Sequence, residues 1–161
     1  MADCCSVNAK TGTAPSVMFC PVNGARSKHV DMLTVKSLVR RLPLGMPVTE
    51  YYFCDASDCE VVYFALDSDA PRFRREDLVV RVGAKETAGS IPVCYCFGFT
   101  REDIENEIAE TGRSTVADRI KTEVNAGKCA CEVKNPSGKC CLGDVARTAA
   151  DKLNRKGAGG L

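Results

Sequence analysis

Cysteine carries the chemistry of this sequence. Eleven of its 161 residues are cysteines, and most come in groups: Cys4 and Cys5, Cys20, Cys54 and Cys59, Cys94 and Cys96, Cys129 and Cys131, Cys140 and Cys141. A deprotonated thiol is a soft metal ligand, and four of them close a tetrahedral site. The count is odd and no apolar secretory segment opens the sequence. That combination points to a reducing compartment, hence a cytoplasmic protein, and to metal rather than a disulfide scaffold.

Six of the eleven cysteines lie in residues 93–142, as VCYCFGFT and GKCACEVKNPSGKCCL. Each group precedes a helix-start signal. Thr100 with Asp103 three residues on is close to a capping box. After Cys141, Leu142, Val145, Ala146, Ala149 and Leu153 form an apolar stripe at helical spacing. If residues 93–95 are extended, Cys94 and Cys96 point to one side, roughly 6–7 Å apart at Cα. Two helix N-termini would then face the sulfurs, and their unpaired N–H groups favour an anionic set of ligands. On these grounds alone the site is four or more thiolates at helix starts, which either iron or zinc accepts.

Other chemistries are poorly represented. A formal net charge of +1 offers no field for nucleic acid. No apolar run approaches the ~20 residues of a membrane span, so no membrane insertion is expected. His29 is the sole histidine, in a charged run with Arg26, Lys28 and Asp31, and Ser137 has no base beside it. The GAGG near the end follows no strand and is no nucleotide fingerprint. With no catalytic constellation, the reading is a metal-binding protein rather than an enzyme.

The elements that must position the thiols are short. Residues 17–20, 50–54, 60–65 and 78–82 read as strands, and 30–33 as the second arm of a hairpin about Asn23-Gly24. Thr34 reads as the N-cap of a helix over 34–41, with Val35, Leu38, Val39 and Leu42 on one face. Cys54 and Cys59 fall at the two ends of a hairpin loop, which is the geometry of a metal knuckle. Residues 84–91 (AKETAGSI) are small and polar and read as a linker. Helices follow over 100–110, ended by Gly112, and from a Thr115 cap through Val116, Ile120 and Val124. Each is too short to stand alone in water.

CYCFG-T followed by a helix, then C-x-C-E-V-K-N-P-S-G-K-C-C, resembles the 2Fe–2S region of the CopZ copper-chaperone family. That region is itself similar to bacterioferritin-associated ferredoxin. The likeness covers about residues 51–145. It implies a 2Fe–2S cluster on Cys94, Cys96, Cys131 and Cys141, with Cys140 as the alternative to Cys141. YYFC-x4-C-E-V-V-Y-F is similar to the family's zinc-binding segment and implies Zn2+ on Cys20, Cys54, Cys59 and Cys5, with Cys4 as the alternative to Cys5. Some members carry a C-P-x-C knuckle where this sequence has Cys20-Pro-Val-Asn23. The implied fold is α+β, a small zinc-stabilised β-rich module at 17–83 followed by a helical 2Fe–2S module at 92–153. Residues 1–16 are expected to be a flexible N-terminus and 154–161 a disordered tail. The implied function is electron transfer or a redox accessory role in copper or other heavy-metal handling. The partner would be a redox protein, metal transporter or chaperone. Spare thiols at Cys129, Cys140 and one of Cys4 and Cys5 offer an alternative, binding of Cu+ as a chaperone module. Family members also carry a C-terminal heavy-metal-associated domain with a CxxC pair. The sequence ends before such a motif, so copper delivery is not expected to carry over whole.

Overall fold

The structure, a computed structural model, describes residues 14–158. Cys4, Cys5 and most of the expected flexible N-terminus lie outside them. Five short strands form an antiparallel meander in the order of the chain: β1 (Val17–Phe19), β2 (Arg26–Val30), β3 (Tyr51–Phe53), β4 (Val61–Ala65) and β5 (Phe73–Arg74). In a meander alternate turns share one end of the sheet. The turn after β1 and the loop after β3 are therefore neighbours, and these carry Cys20, Cys54 and Cys59.

Side chains alternate across the sheet and feed two separate cores. Tyr51, Tyr63 and Phe73 pack with Val35 and Leu38 of α1 (Met32–Leu38), together with Val30, Leu78 and Val82. Tyr52 and Phe64 are cross-strand partners with ring centroids 5.7 Å apart. They pack instead with Cys20, Cys54 and Cys59.

The second half is a two-stranded hairpin, β6 (Pro92–Cys94) and β7 (Phe99–Thr100), followed by α2 (Arg101–Thr111), α3 (Val116–Asn125), α4 (Cys131–Lys134) and α5 (Leu142–Ala158). The expected capping box forms: Asp103 N–H donates to Thr100 Oγ1 at 3.2 Å, and Thr100 N–H donates to Asp103 Oδ2 at 2.8 Å. Gly112 ends α2 at φ +85°, the left-handed conformation that only glycine adopts cheaply. Ile104, Ile108, Val116, Ile120 and Val145 share their core with Cys94, Cys131 and Cys141. The α+β class is as expected.

Several elements differ from the reading of the sequence. Helix α1 starts earlier, with Asp31 at its N-cap, because Thr34 is buried and its hydroxyl donates to Glu132 O at 2.6 Å. The hairpin partner of β1 starts at Arg26 rather than at Val30. Residues 78–82 form no strand. A 3-10 turn at Arg75–Asp77 redirects the chain, and only Leu78 bridges, to Val39 beyond α1. Thr115 makes no side-chain cap. Its N–H donates to Glu107 Oε2 at 3.0 Å, so α2 supplies the acceptor for α3. The 84–91 stretch begins inside a 3-10 turn, Gly83–Lys85, and Lys85 is buried. Helix α5 runs past Leu153 to Ala158, where a disordered tail was expected. Arg155 and Lys156, in its last turn, suit a helix C-terminus.

The NPSG segment between the last cysteine groups is a built turn. Asn135 Oδ1 accepts from Ser137 N–H and Oγ, each at 3.1 Å, and Asn135 Nδ2 donates to Lys139 O at 2.9 Å. The buried Tyr63 hydroxyl donates to Pro136 O at 2.6 Å, tying this turn to the sheet. At Gly138 (φ +69°) a Cβ would come within 2.8 Å of Thr34 Oγ1, so both the conformation and the close approach to α1 call for glycine.

Candidate metal centres

The first centre is built by the sheet. Cys20 follows β1 directly, with its N–H on Ala25 O at 2.8 Å. Cys54 follows β3, with its N–H on Val62 O at 2.9 Å. Cys59 stands two residues before β4, its N–H on Ala56 O at 3.3 Å. Their sulfurs all lie within 4.8 Å of one another, and all three residues are buried. Cys20 and Cys59 sulfurs are 3.9 Å apart.

Cys20 and Cys54 respond to this apolar pocket in opposite ways. Burial pushes the Cys54 thiol up to about 11. At Cys20 burial acts the same way, but the peptide N–H groups of Asn23 and Val22 outweigh it and hold the thiol below its usual range. Lys85 Nζ sits 3.9 Å from Cys54 Sγ and donates to Ala56 O and Cys59 O at 2.8 Å each. Sequence reasoning missed Lys85 because it sits in an otherwise polar, aperiodic stretch. His29 takes no part. It pairs with Glu50 at 2.5 Å on the neighbouring strand pair and meets the edge of Tyr52.

The second centre gathers five thiols. Cys96, Cys129 and Cys131 sulfurs lie within 4.8 Å of one another. Cys96 and Cys131 are 3.5 Å apart, and Cys129 and Cys131 3.3 Å. Cys94 and Cys141 are buried in the same core. Cys141 is 1% exposed, whereas Cys140 is exposed beside an open cleft with Lys139 and Lys28. Strand alternation does not bring Cys94 and Cys96 together. Cys94 ends β6, and a turn over 95–98 carries Cys96 round.

That turn creates an environment for negative sulfur. The Cys141 side chain and the N–H groups of Phe97, Cys96 and Phe99 hold the Cys94 thiol down at about 6, against the opposing effect of burial. Its partner Cys141 moves the opposite way, since the proton the pair shares stays there. Ala130 N–H donates to Cys96 Sγ at 3.3 Å. Burial, with the bond from Cys129, pushes Cys131 up. The pocket thus favours a thiolate at Cys94 by itself, whereas Cys96, Cys131 and Cys141 need a cation beside them to ionise. Cys129 was read from the sequence as spare, yet it touches Cys131. Its C-x-C spacing from Cys131 was the available signal.

Residues 17–79 match the family model described as the zinc binding domain of CopZ. Copper chaperone CopZ of Archaeoglobus fulgidus is 34% identical over 125 residues, 78% of this chain and 58% of that protein. The X-ray structure of that protein's N-terminal domain superimposes with a TM-score of 0.66 at 34% identity, covering 81% of this chain and 96% of the domain. The chain belongs to the CopZ family.

Its described part corresponds to the CopZ N-terminal domain, and it spans 58% of the length of the curated CopZ relative. Like its family it is a metal-binding protein that uses cysteines, and two groups of thiols close enough to share an ion lie at the sheet and in the helical bundle. Among the described residues no helix is long and apolar enough to cross a membrane.

Proposed function

We propose that this CopZ-family chain is a carrier in copper or related heavy-metal handling, with a zinc ion holding its first centre and a 2Fe–2S cluster at its second. The observation that supports the cluster is the core around Cys94, Cys96, Cys131 and Cys141. There, thiols from a hairpin turn and from two helix starts converge, with peptide N–H groups turned on the sulfurs. Four thiolates around two irons and two sulfides carry net negative charge, which such donors stabilise. A cluster held there would supply one-electron redox chemistry. The chain's own part is to hold the four thiolates, shield them with Phe97 and Phe99, and fix Cys131 and Cys141 through the NPSG turn. The fourth cluster ligand in this reading is Cys141 rather than the exposed Cys140. The zinc reading is supported by three buried thiols on knuckles of a rigid sheet, since zinc is redox-inert and structural. The partner is a redox protein or a metal transporter.

Anaerobic reconstitution with iron and sulfide tests this. The expected result is a red-brown protein with about two irons and two sulfides per chain and a reversible one-electron couple. A colourless protein that retains zinc alone would exclude the electron carrier.

A second reading has its own observation. The Cys96, Cys129 and Cys131 sulfurs form a compact trio, a donor set that suits soft Cu+. Because Cys96 and Cys131 are common to both sites, stoichiometric Cu+ uptake that displaces the cluster absorption and that Cys129→Ser abolishes would favour the chaperone reading.

A further inference from the structure

The triad of Cys20, Cys54 and Cys59 is one ligand short of a closed tetrahedral site. We infer that the fourth ligand is the amide oxygen of Asn23, and that the ammonium of Lys85 completes the charge balance of the site. This rests on the zinc reading of the first centre.

Two independent features carry the inference. The first is the orientation of the Asn23 amide. Its Nδ2 donates to Asp58 Oδ1 at 3.4 Å, which turns the oxygen the other way. Oδ1 accepts from Ala25 N–H at 3.0 Å and lies 4.0 Å from Cys54 Sγ, a few tenths of an ångström beyond the ~3.6 Å between a sulfur and an oxygen on one tetrahedral zinc. A carbonyl oxygen has two lone pairs, so one remains for a metal after the bond from Ala25. Asn23 also sits three residues after Cys20 in the same turn, the offset at which a second knuckle ligand reaches a shared ion. Asp55 and Asp58 do not join the set of groups within reach of all three sulfurs.

The second feature is charge. Zinc with three thiolates has a net charge of −1, and a fourth thiolate would make it −2. Lys85 is 1% exposed, and its three donors are spent on Ala56 O, Cys59 O and the Cys54 sulfur. One buried ammonium neutralises a three-thiolate site and leaves a four-thiolate site charged in an apolar pocket, which is costly. The carbonyls it grips belong to the 54–59 loop itself, so Lys85 is a positioning residue that holds Cys54 and Cys59 at their spacing. An amide oxygen is a weak ligand for zinc, so the site has one exchangeable position where a four-cysteine site has none.

Cobalt substitution of the N-terminal centre reads the ligand set directly, because the near-ultraviolet charge-transfer intensity counts thiolates. Asn23→Cys provides an internal four-thiolate reference. The wild type is expected to show about three-quarters of that intensity, and Asn23→Cys to tighten zinc at least ~10-fold in chelator competition. A Cys4→Ser, Cys5→Ser double variant is expected to match the wild type in both. Lys85→Gln is expected to keep the three-thiolate band while weakening zinc about 10-fold. A wild-type intensity equal to that of Asn23→Cys, lost in the double variant, would overturn the inference and place a cysteine before residue 14 in the site. Unchanged zinc affinity in folded Lys85→Gln would overturn the charge role. A wild type that takes up neither cobalt nor zinc would instead overturn the zinc reading of this centre.

Discussion

The two cysteine centres stand on different foundations. The first sits at one end of a five-stranded meander, each cysteine pinned by a backbone hydrogen bond and buried in a small core with Tyr52 and Phe64, while the larger core of Tyr51, Tyr63, Val35 and Leu38 is built without it on the other face. The second is embedded in its own core. Cys94, Cys131 and Cys141 are as buried as Ile104 and Val145 and take the place of hydrophobic side chains. Losing metal from the first leaves a sheet and a helix that still bury their apolar faces. Losing it from the second leaves short helices around a pocket of thiols, with Cys96, Cys131 and Cys141 pushed towards the protonated form and Cys94 towards the charged form. A metal contributes more to a fold when its ligands are the core than when they flank it.

The largest effect that tests this contrast is expected from Cys94→Ser, Cys131→Ser or Cys141→Ser. Each should abolish the visible absorption of the reconstituted protein and much of the helicity of 101–158, measured by circular dichroism, while Cys140→Ser should do neither. A variant of the three that keeps its spectrum would remove that residue from the ligand set.

Next in size is Cys54→Ala or Cys59→Ala. The loss is expected to be about 3–5 kcal/mol in denaturant unfolding, with zinc gone and the second centre's absorption retained. Complete unfolding of 17–82 would show that the core around Tyr51 and Tyr63 cannot stand without the ion, and the contrast between the centres would disappear.

Tyr63→Phe probes the tie between them. Leaving Pro136 O without its buried donor should cost about 1–3 kcal/mol. Because Pro136 belongs to the turn that sets Cys131 against Cys141, the second centre's reduction potential or loading should shift with it. Equal stability loss with an unmoved second centre would make the contact purely structural.

The smallest expected effect lies away from both centres. Glu107 accepts from the Thr115 hydroxyl and N–H and from Ser114, and these bonds, the hydroxyl's first, hold its carboxyl below the usual range. A lowered folded-state value stabilises above the unfolded value near 4.3, and that contribution fades as pH falls through the folded value. Glu107→Gln should therefore cost about 1 kcal/mol at pH 7, and the gap to wild type should close below about pH 4. A gap that persists in acid would assign the cost to packing.

What could be read from the chain was what is local. The capping box at Thr100 and Asp103, the stop at Gly112, the hairpins and the knuckles around Cys54 and Cys59 all depend on neighbours a few residues away, and the structure has them. Grouped thiols already announced metal. Contacts across long stretches of chain were not legible. Lys85 looks like linker until the sheet places the 54–59 loop over it. Thr34 looks like a cap until Glu132 arrives, and Cys129 looks spare until α4 folds it against Cys131. The proline and glycine of NPSG suggest a turn, but only the buried hydroxyl of Tyr63 and the approach of Thr34 give that turn its position. The sequence by itself determined the ligand chemistry and the local stops and starts, because thiol softness, turn preference and capping are properties of a few adjacent residues. Which thiols meet, and what charge and amide complete their pockets, only the tertiary structure decided, because burial and the pairing of distant groups exist only once the two halves have packed.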